Sequence, residues 1–422
     1  MPFDMSNCSP LRAPPSSTPH HEPHRTASAP APTRRPIPGG RPGRRFGSAP
    51  IAKESTMRPT RRTGAVLGGL ALLLGASVSG PATAPAGASE TTDRTPPAAS
   101  AADLPSSFQW SSTGPVIAPK SDASHDIAGI KDPSVVFHDG KWHVYASTTS
   151  TAGNYSLAYT SFEDWSRASA APQYFLDQNP NIGTGYRAAP QVFYFAPQDK
   201  WYLVYQTGNG SFSTTDDPGK PETWSAPQNF YSGMPDIIRD NIGDGYWVDF
   251  WVICDDVKCY LFSSDDNGHL YRSETTVEDF PNGFTNTVIA MEDSDRYRLF
   301  EAVNIYRIKG SDSYLMLHEA IGTDGRRYFR SWTSDAITGP WTALADTESN
   351  PFARANNVTF EGSPWTNDIS HGELLRDGTD QTLTIDPCDL RYLYQGMDPN
   401  AGGEYNKLPW RLGLLTQTNS AC

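Results

Sequence analysis

Residues 105–422 are predicted to fold as an all-β, single-domain five-bladed β-propeller, on three observations. Long helical periodicity is scarce there, and short runs of Val, Ile, Tyr, Phe and Trp recur between Gly, Asn, Asp and Pro turns. The runs fall into five similar units, each a strand, a tight turn, a second strand and a polar outer pair. The units start near positions 132, 189, 249, 301 and 371, and steps of 57, 60, 52 and 70 residues suit a four-stranded blade with generous loops.

Each unit can be read in turn. The first runs from Asp132 through the Asp139-Gly140 turn to Thr148, and the second from Ala189 to Gln206. The third starts near Asp249, turns at Asp255-Asp256 and continues from Cys259. The fourth starts near Glu301, turns at Gly310 and continues from Tyr314. The fifth starts near His371, turns at Asp377-Gly378 and continues over Thr382 to Asp386. Trp165, Trp224, Phe284 and Trp341 lie in the outer pairs, where aromatics would pack between blades. A β-sandwich is the main alternative, but it has no need of five similar units, and a parallel β-helix repeats at much shorter intervals.

The N-terminal region reads differently. Residues 1–56 are rich in Pro, Arg, Ser and Ala, a composition that cannot offset chain entropy by apolar burial. Met57 is read as the true start. Arg58, Arg61 and Arg62, the apolar run from Ala65 to Val78 and the small residues up to Ala88 have the order of a secretory signal peptide over 57–88. Residues 89–104 read as a linker. From residue 89 onward there are 23 basic and 44 acidic residues, a net of −21. That balance argues against nucleic acid or an anionic membrane as partner and suits a secreted, extracellular monomer acting on neutral polysaccharide. Four cysteines remain past the leader, an even number that implies two disulfides in an exported chain. Cys254 and Cys259 could clip a hairpin, and Cys388 and Cys422 would tie the C-terminus to the last blade. A zinc site is the rival reading, but the paired C-x-x-C spacing is absent.

In a propeller the first strand of each blade lines the central channel. Asp132, Asp249 and Glu301 open three of the five units, so the fold would gather them at one mouth of the axis. Each is flanked by bulky apolar residues, and a carboxylate held against apolar surface beside another carboxylate has its pKa pushed up. Hydrolysis of a glycosidic bond needs one carboxyl kept protonated and one kept ionised. The plainer reading makes them turn or cap carboxylates on a very acidic protein.

Further strings resemble glycoside hydrolase family 62, the α-L-arabinofuranosidases that trim arabinoxylan. These are Lys131-Asp132, Phe193-Tyr-Phe-Ala-Pro197, Asp249-Phe-Trp-Val-Ile-Cys-Asp255, Leu299-Phe-Glu-Ala302, Glu319-Ala-Ile-Gly322, Arg327-Tyr-Phe-Arg-Ser331, Trp365-Thr-Asn-Asp-Ile-Ser-His-Gly-Glu373, Asp386-Pro-Cys388, Leu393-Tyr-Gln-Gly396 and Ala401-Gly-Gly-Glu-Tyr-Asn-Lys-Leu-Pro-Trp-Arg-Leu-Gly413. The resemblance implies a propeller that inverts the anomeric carbon. It makes Asp132 the general base, Glu301 the general acid and Asp249 the residue that raises the acid's pKa. It places Lys131 and Arg327 around the arabinose, Tyr405 and Asn406 beside the xylan groove, and His371 at a calcium ion in the channel. Asp132-Pro133-Ser134 and Val248-Asp249-Phe250-Trp251 depart from the family and resemble family 43 instead.

Several residues carry two readings. His371 is equally a satisfied channel histidine, since calcium prefers oxygen. Asp265-Asp266-Asn267-Gly268 reads as a hairpin turn and not as a calcium loop. His138 and His143 are expected on the surface. Trp247, Trp251, Trp365 and Trp410 are expected in the core or between blades more than on a sugar face. Arg326 and Arg327 are adjacent on a strand, so only one can face the channel. The alternatives to an arabinofuranosidase on arabinoxylan are a family-43-like furanosidase or xylosidase acting on arabinan or arabinogalactan, and a non-catalytic sugar-binding propeller.

Overall fold

The computed structural model describes residues 104–422. The expected leader over 57–88, the segment before it and nearly all of the 89–104 linker lie outside the described residues.

Five sheets, antiparallel but for two short parallel pairings, make up the described chain. Blade one holds Ile127–His138, Lys141–Ser150, Tyr155–Phe162 and Tyr174–Phe175. Blade two holds Ala188–Phe195, Lys200–Gln206, Gly210–Thr215 and Gln228–Asn229. Blade three holds Val248–Cys254, Lys258–Ser264, His269–Thr276 and Thr285–Glu292. Blade four holds Glu301–Ile308, Tyr314–Ile321, Arg327–Ser334 and Thr342–Thr347, with Asn350–Pro351 on its outer edge. Among the described residues there is one α-helix, Asp236–Asn241, and no helix is long and apolar enough to cross a membrane.

Blade five corrects the sequence reading. Its first strand is Ser370–Leu374, as expected, but that strand pairs with Arg391–Gly396 and not with the stretch around Thr382. Thr384–Ile385 instead runs parallel to Arg307–Ile308 of blade four. The alternating apolar pattern that predicted a strand is satisfied equally well by an edge addition to the neighbouring blade. The blade is completed by Arg411–Gln417, by Trp110–Ser112, and by Val358–Phe360. The strand at 110–112 belongs to none of the five repeats. It pairs antiparallel with 415–417, so the two ends of the ring are zipped into one sheet.

Inner strands are buried on both faces because each blade is sandwiched between two others. This explains why they read as near-continuous apolar runs. Aromatics do fill the spaces between blades. The Trp224 indole of blade two donates to Tyr145 Oη of blade one at 3.0 Å. Phe284 of blade three sits edge-on to Phe230, beside blade two's outer strand, at 5.5 Å. Trp251 of blade three donates to Ile305 O of blade four at 3.1 Å. Trp247, Trp251 and Trp410 are all buried, as the core reading expected. His143 is a second correction: it is buried, with Nδ1 2.8 Å from Tyr159 Oη and Nε2 3.1 Å from His138 O. Its position next to an Asp-Gly turn suggested exposure, but the packing of Tyr159 over it removes it from water.

The feature that positions the site is a β-bulge repeated in all five inner strands. The register slips once between Lys131 and Ser134, Ala188 and Gln191, Val248 and Trp251, Glu301 and Asn304, and Ser370 and Gly372. At four of these bulges a residue with a side chain is left-handed: Asp132 (φ 48), Ala189 (φ 48), Asp249 (φ 57) and Ala302 (φ 59). Bulges re-aim side chains at the rims of closed sheets. Here they turn Asp132 and Asp249 toward the axial mouth. Glu301 pairs with Glu319 as Lys131 pairs with Ser147, so it stands one residue before the position shared by the two aspartates.

Candidate active site

The mouth is built from one polar residue at or near the end of each second strand. Ser147, Gln206, Ser264, Glu319 and Gln395 all pair with the residue just before a bulge. Four of them capture the bulge N–H of the next blade. Gln395 Oε1 accepts from Asp132 N at 2.7 Å, Ser147 Oγ from Ala189 N at 2.7 Å, Gln206 Oε1 from Asp249 N at 2.8 Å, and Glu319 Oε2 from His371 N at 2.6 Å. The fifth N–H, that of Ala302, goes to Asp249 Oδ2 at 2.9 Å, which fixes that carboxylate in place. These bonds secure a strained backbone whose left-handed residues cost on the order of 1–3 kcal/mol each.

All eight residues singled out in the sequence converge on this mouth. His371 Nδ1 lies 3.5 Å from both Asp132 Oδ1 and Asp249 Oδ2. Lys131 Nζ is 3.6 Å from Asp132 Oδ1 and donates to Tyr405 Oη at 3.1 Å. The same ammonium stands 4.8 Å from the Tyr405 ring centre and 5.4 Å from that of Tyr155. Arg327 is the arginine that faces the channel, and one of its nitrogens bridges Glu301 and Glu319. Arg326 turns away to Asp368 at 3.1 Å. Tyr405 also accepts from Arg327 at 3.4 Å, and Asn406 Oδ1 accepts from Tyr155 Oη at 3.2 Å.

Charge is unevenly distributed among the carboxyls. Burial, reinforced by Glu301 and Asp132, holds Asp249 well above the ordinary range. Burial also raises Glu301, but Arg327 and Lys131 outweigh it and keep that carboxyl below its usual value. Burial takes Glu319 up to about 7 against the pull of Arg327. Carboxyl groups with opposed proton affinities around one opening can supply both an acid and a base.

Four groups at this mouth had no role in the sequence reading. Tyr155 and Tyr186 stand edge-on at 5.6 Å, and Tyr186 accepts a hydrogen bond from Gln206. Glu319 is fully buried under Arg327. Asp266 was read only as part of a turn. One signal was present: every second strand carries a polar residue after its apolar run, and Glu319 is the charged member of that set.

Below the carboxylates the axis narrows into a small pocket lined by Pro133, Pro190, Asp249, Phe250, Asn304 and His371, among others. Asn304 Oδ1 is buried there with no hydrogen-bond partner among the described residues. No group of three or more His, Cys, Asp or Glu converges on a metal position among the described residues. An orphaned buried oxygen beside His371 fits a cation held mainly by water. The two departures from the family pattern lie in the lining of this pocket. Pro133 lines the pocket, and the Phe250 ring packs at 5.0 Å on Trp247 and against Gly210, where a Cβ would come within 2.7 Å of it.

A propeller that gathers acids and two cations at one axial mouth has the site of a glycoside hydrolase. Comparison with known proteins gives the family: the sequence profile of Glycosyl hydrolase family 62 matches residues 109–416, and the chain belongs to that family. It is 46% identical over 316 residues to alpha-L-arabinofuranosidase C of Cellvibrio japonicus, a match covering 74% of this chain and 48% of that protein. The chain thus spans about half the length of the curated relative it matches. The catalytic domain of a Coprinopsis cinerea family 62 alpha-L-arabinofuranosidase is 69% identical, with a TM-score of 0.74 over 76% of this chain and 100% of that one. The Podospora anserina alpha-L-arabinofuranosidase solved with cellotriose is 59% identical, with a TM-score of 0.73 over 76% of this chain and 99% of that one. A family 62 hydrolase solved with xylotriose is 56% identical, with a TM-score of 0.72 over 74% of this chain and 98% of that one.

Proposed function

We propose that this chain is a secreted, monomeric α-L-arabinofuranosidase that removes arabinofuranosyl side chains from arabinoxylan-type plant cell-wall polysaccharide with inversion. The observation that carries the reading is the convergence of Asp132, Asp249 and Glu301 on one mouth beside Lys131 and Arg327. The activities of the relatives support the bond type, and the xylotriose held by one of them supports a xylan backbone.

In this reading Asp132 takes a proton from the attacking water, and Glu301 gives one to the leaving oxygen. Asp249 is the residue that raises the acid's pKa and helps to hold the substrate. Lys131 and Arg327 orient the sugar through its hydroxyls while Tyr155, Tyr186 and Tyr405 wall the pocket. Asn406 borders the backbone groove. The two working carboxylates are held by different cations on different blades, Lys131 and Arg327, which supports an arrangement with room for water between them. An axial calcium ion is part of the proposal. His371 and Asn304 would hold it, and it would supply positive charge beneath Asp132 and Asp249.

Arabinoxylan and arabinan are incubated with the protein side by side while NMR follows the anomer first formed. The expected result is arabinose from arabinoxylan as the inverted anomer. A retained anomer overturns the base assignment of Asp132, and release from arabinan alone overturns the polymer. Glu301→Gln is expected to reduce turnover about 10²–10⁴-fold on the polysaccharide while leaving binding intact. Near-normal turnover in that variant removes Glu301 from the acid role.

A further inference from the structure

The acid assignment leaves a physical problem. Glu301 must deliver a proton, yet Arg327 grips its carboxyl and favours the ionised form. The groups facing Glu301 come from several elements. Lys131 and Arg327 are cationic, Asp249 and Glu319 are carboxyls, His371 stands across the axis, and Tyr405 covers the cations. One further carboxyl touches it, Asp266, from the turn between the second and third strands of blade three.

That turn is rigidly built to present Asp266. Asp265 is fully buried and takes hydrogen bonds from Asn267 N at 2.8 Å, His269 N at 3.1 Å and Tyr271 Oη at 2.8 Å, with His269 Nδ1 at 2.7 Å. Its carbonyl accepts from Tyr246 N at 2.9 Å, and Gly245 lies so close that a Cβ there would come within 1.8 Å of the carbonyl oxygen. Asp266 itself is left-handed, with φ 54. Its side chain reaches hydrogen-bonding contact with Glu301, and its Oδ1 is buried with no hydrogen-bond partner among the described residues. A buried acceptor next to a second carboxyl is the arrangement in which two acids share one proton. Surface turns that merely reverse a hairpin have no reason to bury a carboxylate oxygen beside a second carboxyl.

We propose that Asp266 holds the proton that Glu301 delivers, as a positioning residue for the general acid. The inference rests on the reading of Glu301 given above. In the empty site the pair carries one proton, on the Asp266 side, because Arg327 keeps Glu301 ionised. Burial, with Glu301 and Asp249 adding to it, raises Asp266 well above the ordinary carboxyl range. As the glycosidic bond breaks, the one proton of the pair passes from Asp266 through Glu301 to the leaving oxygen. Asp266 is left as the carboxylate and is reprotonated from solvent. The proton released by the attacking water goes to Asp132 and from there to solvent, so the cycle balances with no other co-reactant.

Asp266→Asn tests this. Asn tolerates the left-handed backbone, so the turn is kept, and a thermal midpoint close to that of the wild type confirms it. The amide carries no exchangeable acid proton and donates to the Glu301 carboxylate. The alkaline limb of kcat/KM reports the essential acid of the free enzyme. It should move to lower pH, by about one unit, because Glu301 is left alone with Arg327. Turnover should fall at least about tenfold more on arabinoxylan, whose leaving alcohol needs a proton, than on 4-nitrophenyl α-L-arabinofuranoside, whose leaving phenolate does not. An unmoved alkaline limb, or equal losses on the two substrates, overturns the proposal while Glu301→Gln stays inactive on the polysaccharide. An active Glu301→Gln, or a wild type inert on both substrates, overturns the underlying reading instead.

Discussion

At the scale of single residues, the site depends on side chains that tolerate an uncommon backbone. Asp132, Asp249 and Asp266 are all left-handed, and Asp is among the few residues with a side chain that enter this region readily. Asp132, Asp249 and Glu301 were legible as a cluster because repeat counting places them at the starts of blades. Asp266 was not, because an Asp-Asp-Asn-Gly string has the composition of any hairpin turn. Its significance comes from the burial of Asp265 beneath it, which only the packed structure reveals. A second buried residue carries a separate expectation. Burial lowers His318 from 6.5 to about 4, with Glu319 O and Ser264 Oγ as its neighbours at 3.0 and 3.4 Å. The unfolded chain takes up this proton near 6.5 and the folded one only near 4. The stability this group contributes is therefore full above 6.5 and lost as pH falls toward 4, by about 3 kcal/mol. Urea unfolding of the wild type and His318→Gln should show this as a stability difference that shifts in the variant's favour between pH 7 and 4.5. A pH-independent difference would show that His318 is not buried neutral.

At the scale of elements, the hairpins follow from local sequence and both disulfides form in the expected pairing, but the fifth blade is not legible in this way. Four blades are contiguous in the chain, so alternation and turn residues suffice to find them. Blade five draws strands from 110–112 and 358–360 as well as from the C-terminal region, and nothing local marks a strand that pairs about three hundred residues away. The stretch around Thr382 was misplaced for the same reason, since a strand pattern gives no information on which edge it joins. Cys254–Cys259 closes a hairpin with 5 residues of separation, and Cys388–Cys422 closes a loop with 34. In the chain-entropy account the longer loop contributes more, about 4 kcal/mol against about 2. Replacing Cys388 and Cys422 together with Ala should therefore lower the denaturant midpoint more than replacing Cys254 and Cys259. The reverse order would show that the buried pair stabilises through packing.

At the scale of the whole molecule, ring closure and the axis are the points of dependence. Trp110 is buried in the closing strand, packs on Phe352 at 5.2 Å, and donates its indole N–H to Phe352 O at 2.6 Å. Trp110→Ala should cost about 3–5 kcal/mol, read as a fall in the urea midpoint. A loss below about 1 kcal/mol would mean that the zipper contributes little to the ring. The axis gives a second test. If calcium sits on His371 and Asn304, dialysis against a chelator should lower the thermal midpoint and added calcium should restore it. Identical midpoints with and without calcium would remove the ion from the proposal.

Closure also sets a clock. Trp110 pairs with Gln417, so the strand made first meets its partner only after some three hundred further residues exist. At ordinary synthesis speeds that delay is on the order of tens of seconds. Until then the growing chain carries open sheet edges and no completed axis. Asp132 must wait as well, because Gln395, which captures its backbone N–H, is also late in the chain. Folding of the propeller therefore waits on the strand at 411–417, and the axial mouth comes into being when the ring shuts.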